Sequence, residues 1–287
     1  MGNITKKQHF IPCSYLTRFS CREEGIDPRK QTIWVWDGER CRKSIVENEG
    51  YSRWLYGKGE DANASEKMFQ VFEQQYVKIM NKLSDNIGPD AALDSNDEFA
   101  LFYGALMLYI RNQGVRVEEM DTMSGIRDGF WSLLGNLLGI FEMIEHVSAQ
   151  ERLDKYRAMW QANLHETGDG GLITSDNPVV LWALEKTLVM VYLALDKTTF
   201  IAFHRVEFLQ ETGCGVSNVD IRRLHGACYG QRLRFAYADH DFSGYLKGDL
   251  GAKIPRDRLP IISPGRMTLA NAVMDRPFDF LRFRKRN

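Results

Sequence analysis

With 287 residues, the chain is long enough for one large domain or two small ones, and a fold of that size buries roughly 75% of the surface its unfolded chain exposes. Hydrophobic residues make up 44% and charged ones 26%, which excludes a collagen-like or disordered chain. With 37 basic against 38 acidic side chains, no global field draws in nucleic acid or a membrane, so any such partner must be met by a local patch.

The opening, Met1 to His9, carries charge but no apolar run of the secretory kind. Lys6 stands where N-myristoylation wants Ser or Thr. The most apolar stretch, Gly129 to Ile144, is interrupted by Asn136 and Glu142 and falls short of the roughly 20 residues of a bilayer span. Cys13, Cys21, Cys41, Cys214 and Cys228 are odd in number, irregularly spaced and without a C-x-x-C pair, as reduced thiols of a cytoplasmic protein would be. The expected location is therefore the cytoplasm, with no membrane partner, and the sequons at Asn3 and Asn63 carry no weight.

Along the chain, Pro12 suits the N1 position of a short helix that sets Tyr15, Leu16 and Phe19 on one face. Thr32 to Trp36, followed by Asp37-Gly38, predicts a strand entering a tight hairpin, with Ser44 to Val46 returning. Asn63 and Glu66 have capping-box spacing, and Met68, Phe69, Phe72, Tyr76, Ile79, Met80 and Leu83 make a helical stripe. A second box, Ser95 to Glu98, opens a helix uncharged from Phe99 to Ile110, hence buried on most sides. Two further helices are expected within Val117 to Val147 and over Gln150 to Leu164.

After His165 a glycine-rich turn at Gly168 to Gly171 changes the texture. Strands are expected at Leu172 to Thr174, Val179 to Trp182, Leu188 to Leu195, Thr199 to Phe203 and Leu233 to Tyr237, with a helix around Val219 to Tyr229. Helices followed by strands without regular alternation predict an α+β fold: a central helical bundle on a mostly antiparallel C-terminal sheet, with an N-terminal helix and β-hairpin. A single domain over 1–287 is expected, divided into N-terminal helix and hairpin (1–57), helical part (58–165), sheet-rich part (166–250) and tail (251–287).

The segment Gln8-His9-Phe10-Ile11-Pro12-Cys13-Ser14-Tyr15-Leu16-Thr17-Arg18-Phe19 resembles the opening of a largely bacterial family, domain of unknown function 4238. Tyr51 to Tyr56, Phe102 to Arg111 and, most closely, Ile173-Thr174-Ser175-Asp176-Asn177-Pro178-Val179 are similar to further landmarks of it, as is the late segment Val219 to Tyr237. The chain departs from the family in having Asn112-Gln113-Gly114 after Arg111 in place of Thr-Pro, and His225 near a position usually held by Asn. The family name supplies no reaction, but its members occur among phage-defence genes, so the resemblance implies a role in anti-phage defence.

Three residues stand out as candidate catalytic groups. His9, three before Pro12, would sit at a helix N-terminus as a neutral base or anion-binding corner. Arg111, directly after the uncharged stretch, would emerge at the core's edge and need a carboxylate, phosphate or carbonyl partner. Asp176, in an Asx-type corner ahead of Pro178, would be a general base or hard-metal ligand, with Ser175 and Asn177 orienting. Tyr15, Ser175 and Asn177 are the expected substrate-binding residues. No cofactor is established by the sequence; Mg is the metal a carboxylate corner suits. His165-Glu166 with Asp169, and Asp239-His240-Asp241, lack metal-site spacing and read as solvated loops.

Two functions follow. In the first, the chain is an effector enzyme, a hydrolase or nuclease acting on nucleic acid or nucleotide phosphates, with His9 as acid/base, Arg111 on the phosphate and Asp176 as base or Mg ligand. In the second, it is a non-catalytic sensor or interaction protein in which the same residues brace the fold. Either admits a phage-encoded trigger, and the sequence fixes neither oligomeric state nor metal.

Overall fold

The structure is a computed structural model that describes residues 7–53, 60–85, 93–116, 123–140, 146–167, 171–184, 187–207, 225, 228 and 235–248. β1 (Lys7–His9) leads through Pro12 into the one-turn helix α1 (Cys13–Leu16), which tightens into a 3-10 turn at Thr17–Phe19. Pro12 is the N-cap residue, one place ahead of the expected N1. Tyr15, Leu16 and Phe19 are buried, as their spacing predicts.

β4 (Tyr51–Arg53) pairs with β1 antiparallel, Tyr51 opposite His9. The carbonyl of Gly50 accepts the amides of Phe10 at 2.8 Å and Ile11 at 3.0 Å. Gly50 has φ +63°, and a Cβ there would come within 2.9 Å of the Ile11 Cβ, so neither the backbone nor the space admits a side chain.

β2 (Thr32–Trp36) and β3 (Cys41–Ile45) form the N-terminal hairpin. The return begins at Cys41, ahead of the expected Ser44, and the loop between Trp36 and Cys41 is closed by the Asp37 carboxylate, which accepts the amides of Glu39 and Arg40, and by the Asp37 amide, which donates to the Arg40 carbonyl. Val46 falls in a 3-10 turn, Val46–Asn48, rather than in the returning strand, and its amide donates to the Gln31 carbonyl at 3.1 Å. The hairpin does not stand apart: β2 also pairs with β10 (Ala236–Ala238), and β10 with the two-residue β6 (Thr174–Ser175), in the order β3-β2-β10-β6. Trp36, Ile173, Phe242 and Leu246 form a small second core with the last described helix, Ser243–Gly248.

The helices are α2 (Glu60–Asp85), α3 (Ser95–Arg116), α4 (Met123–Leu138) and α5 (Ala149–Met159). α2 begins ahead of Asn63, so the expected box lies inside the helix instead of opening it. Asp94, not Ser95, caps α3, accepting the amides of Asn96 at 2.9 Å and Asp97 at 3.0 Å. The stripe from Phe69 to Met80 and the uncharged run Leu101 to Ile110 are largely buried, as expected. α2 and α3 touch at Gly104, where a Cβ would overlap the Phe72 ring.

The expected helix over Gln150 to Leu164 is two elements. α5 ends at Met159 and β5 (Trp160–Glu166) begins at once. Leu153, Tyr156 and Trp160 fall at helical spacing, which hid the strand. Trp160 is buried against Phe102, and its Nε1 donates to the Leu137 carbonyl at 3.0 Å. β7 (Val179–Leu184), β8 (Thr187–Ala194) and β9 (Thr199–Arg205) complete an antiparallel sheet in the order β5-β9-β8-β7. Rings of Trp160 and Phe203 carry one face of it onto Phe102 and Tyr156.

The fold is thus α+β, a helical bundle on antiparallel sheet with an N-terminal helix and hairpin. Among the described residues no helix is long and apolar enough to cross a membrane. The expected helix at Val219 to Tyr229, apart from His225 and Cys228, and the tail (251–287) lie outside the described residues.

Candidate functional site

Ser175, Asp176, Asn177 and Pro178 join β6 to β7, and all four are buried. The Ser175 hydroxyl donates to the Asn177 carbonyl at 2.9 Å and accepts the Asn177 amide at 3.1 Å. Serine, rather than aspartate, therefore closes the turn. The Asp176 carboxylate accepts the Phe235 amide at 3.0 Å, while the Asp176 amide donates to the Phe235 carbonyl at 3.1 Å. Asp176 thereby fastens the corner to the residue preceding β10. Its position is that of an internal tie, not of a carboxylate presented from a surface turn, and Ser175 is engaged by the turn itself.

Tyr15, expected to bind substrate, is 1% exposed. Its hydroxyl donates to the Ala194 carbonyl at 2.9 Å and shares a 2.8 Å hydrogen bond with Thr174 Oγ1. These bonds tie α1 to β8 and β6, and burial holds the phenol well above its ordinary pKa. Tyr76 packs beside it and donates to the Leu195 carbonyl.

Arg111 does not emerge at a helix end, because α3 continues to Arg116. It lies in the core, only 2% exposed. Its Nη1 donates to Glu73 Oε1 at 3.2 Å, and its guanidinium sits 4.3 Å from the Phe69 ring centroid. The expected carboxylate partner exists, and α2 supplies it.

His9 ends β1, and its Nε2 is 3.2 Å from Cys13 Sγ. That contact, and the single turn of α1, replace the expected helix N-terminus: one turn aligns few peptide dipoles. Burial is the main influence pushing the Cys13 thiol up to about 11; the Arg29 guanidinium pulls it down and the Glu73 carboxylate adds to the rise. The same interactions place Cys13 in the electrostatic reach of Arg29 and of Glu73, the partner of Arg111. His9 and Cys13 thus meet in a half-buried mouth between β1 and α1, Arg111 is bound instead to Glu73 of α2, and Asp176 belongs to the β6–β10 corner.

Arg29 and Glu73 were not singled out by the sequence, and Cys13, which with Cys21 brackets the first helix, offered a thiol nucleophile only as a minor reading, for want of a neighbouring His-Asn arrangement. The four-residue spacing of His9 and Cys13 across Pro12 was available, as was a carboxylate set between the buried Phe72 and Tyr76 of α2.

Other expectations shift as well. His165 is on β5, stacked on Phe200 at 4.7 Å, not in a solvated loop. His225 Nε2 accepts the Ile173 amide at 3.4 Å and its Nδ1 bonds the Tyr245 hydroxyl at 2.9 Å; burial lowers its pKa from 6.5 to about 4. It is a neutral brace between β6 and the last helix. Asp239 pairs with Lys197 at 3.0 Å. Among the described residues no three of His, Cys, Asp or Glu are grouped to hold a metal ion.

No curated protein and no solved structure gives a significant match. The profile of the family described as Protein of unknown function (DUF4238) matches residues 7–204. That stretch contains His9, Tyr15, Arg111 and the Ser175–Pro178 corner and ends before the late segment from Val219. The match takes in well over half of the sequence, and the chain belongs to the DUF4238 family.

Proposed function

We propose that this protein serves bacterial anti-phage defence as a sensor or interaction protein, with the motif residues forming its frame. The defence role follows from the family resemblance. The non-catalytic role is supported by one observation above all: the Asp176 carboxylate is wholly buried and bonded to the Phe235 amide, inside a turn that Ser175 closes on Asn177. Tyr15 and Arg111 are likewise engaged with the interior. A polypeptide trigger supplied by the phage is the natural partner on this reading.

A second reading, an effector enzyme acting on nucleic acid or nucleotide phosphates, is favoured by the His9–Cys13 contact at 3.2 Å with the exposed cation of Arg29 in reach of the same thiol. Here His9 would move the proton and Arg29, not the paired Arg111, would meet the phosphate. Phage plaquing on bacteria that express the wild type or a His9→Ala, Cys13→Ala double variant separates the two. The sensor reading expects the double variant to protect as the wild type does, with nucleic acids and nucleotide pools of infected cells alike in both. A folded double variant that loses protection, and with it the breakdown of a nucleic acid or nucleotide, would overturn it in favour of the enzyme.

A further inference from the structure

The register of the β5-β9-β8-β7 sheet gathers polar groups on one face. Trp160 and Phe203 turn toward the rings of α3 and α5. Their alternates point the other way: Asn163 and His165 of β5, Phe200, Ala202 and His204 of β9, and Tyr192 of β8. Ring contacts agree, since His165 stacks on Phe200 at 4.7 Å and Tyr192 leans on the same ring at 5.3 Å. Ala202 stands between Asn163 and Tyr192 across the strands and between Phe200 and His204 along β9. The two outer backbones are about 10 Å apart at the usual strand spacing, and only the Ala202 methyl rises between them.

Buried polar atoms surround that methyl. Asn163 Nδ2, His165 Nε2, both ring nitrogens of His204 and the Tyr192 hydroxyl are enclosed and have no hydrogen-bond partner among the described residues. His204 is 6% exposed, and Tyr192 is wholly buried. Taking a polar group out of water costs free energy that a partner must offset, and four such side chains on one face form a cluster, not an isolated defect. The approach to it is along β5, an end strand of this sheet, where Gln161 and Glu166 are exposed and Asn163 and His165 half-buried.

The donor set limits what can enter. Burial lowers the pKa of His165, and burial, with His165 adding, takes His204 from 6.5 to about 4. Both imidazoles are therefore neutral at neutral pH, each with one donor and one acceptor; the Asn163 amide nitrogen donates, and the phenol does either. Asn163, His165, Phe200, Ala202, His204 and Tyr192 then carry no formal charge, so neither a phosphate nor a hard divalent cation meets its counter-charge here. What matches is uncharged, brings donors and acceptors together, and is flat enough to lie against the Phe200 ring.

We infer that this face binds an uncharged nitrogen heterocycle of the nucleobase class, bonded along its edge by His204, Asn163 and Tyr192 and set against Phe200. None of these residues belongs to the Ser175–Pro178 corner or to the mouth at His9, so the inference goes beyond the reading above and stands apart from it.

Calorimetric titration of the full chain at neutral pH with adenine, hypoxanthine, cytosine and uracil tests it, with the corresponding 5′-monophosphates and zinc as further arms. At least one base is expected to bind, and no monophosphate more than tenfold tighter than its base. Tyr192→Phe should weaken the base at least tenfold, the weight of one hydrogen bond. Without ligand, the same variant should melt at or above the wild-type temperature, because the hydroxyl it loses was unbonded. Ala202→Leu fills the centre of the cluster and should abolish binding; if it fails to fold, Tyr192→Phe decides alone. The inference is overturned if no base binds, if Tyr192→Phe binds as the wild type does, or if a monophosphate binds more than tenfold tighter than its base. A melting temperature lowered in Tyr192→Phe by more than about 4 °C overturns it too, by making the hydroxyl a structural bond. Zinc that binds the wild type but not His204→Ala, while no base binds, would replace the heterocycle with a metal ion.

Discussion

The corner between β6 and β7 and the mouth between β1 and α1 look alike in sequence, each setting a candidate catalytic residue, Asp176 or His9, two or three places ahead of a proline. In three dimensions they differ in what their polar groups face. At the corner, Ser175 and Asp176 are wholly buried and bonded to backbone. At the mouth, His9 and Cys13 are half-buried and touch each other, with the exposed Arg29 nearby. Polar groups taken out of water must be paired, so an interior tie and an active site draw on the same residue types. The contrast teaches that the Ser-Asp-Asn-Pro run is enclosed by the fold, whereas His9 and Cys13, at the start of α1, keep part of their surface in solvent.

The sharpest way to break this contrast is to remove a buried tie that was expected to be a catalytic group. Arg111→Ala leaves Glu73 without its cation and opens space beside Phe69, and a broken buried ion pair destabilises by about 3–5 kcal/mol. The melting temperature should fall by about 10 °C, at roughly 2–4 °C per kcal/mol for a chain of this size. A shift under about 2 °C would remove Arg111 from the frame and return it to the list of ligand-binding groups.

Acid should act next most strongly. His225 and His204 are buried, and burial is the first cause lowering each from 6.5 to about 4. The folded state therefore binds protons less readily than the unfolded chain. Stability is full above pH 6.5 and is lost as the pH falls toward 4, by about 3 kcal/mol for each histidine. Asn at position 225 keeps an acceptor for the Ile173 amide but does not titrate. Urea titrations from pH 7 to 4 should show a shallower decline for His225→Asn than for the wild type. Parallel declines would mean that His225 does not carry this proton linkage.

Tyr15→Phe comes third. It deletes one hydroxyl and leaves the Ala194 carbonyl and Thr174 Oγ1 without it, a loss of about 1.5 kcal/mol measurable by urea titration. A variant as stable as the wild type but unable to protect cells would move Tyr15 from the interior to a binding site.

How much of this was legible follows from the range of each interaction. The apolar stripe of α2 and the uncharged run of α3 are local periodicities, and both elements appear where the spacing puts them. β5 was hidden because Leu153, Tyr156 and Trp160 satisfy a helical period, and only the pairing of Trp160 to Glu166 with β9 decides for a strand. The hairpin was legible as a hairpin, but its place in a sheet with β10 and, beyond it, β6 depends on the pairing of Trp36 with Ala236 and of Ala236 with Ser175, each far apart in sequence. For the site, the importance of Asp176 and Arg111 could be seen from residue type and context. Their roles could not, since these rest on Phe235 and Glu73, each distant in sequence.

The smallest expected effect is at the mouth, and it probes the comparison from the other side. Cys13 is held high by burial, so at neutral pH it is a thiol and a poor nucleophile, 3.2 Å from the His9 Nε2. Alkylation by iodoacetamide, followed on the Cys13 peptide by mass spectrometry, should be slow at pH 7 and still rising at pH 10, because the pKa is about 11. His9→Ala should leave that profile nearly unchanged and cost about 1 kcal/mol of stability, as the loss of a half-buried polar contact does. The opposite result has a definite meaning. A Cys13 that is alkylated fast at pH 7, and slowly once His9 is removed, would be a thiolate stabilised by an imidazolium, the activated pair that nucleophilic catalysis requires. The mouth would then be a reaction centre, and the contrast with the buried corner would be one between machinery and frame.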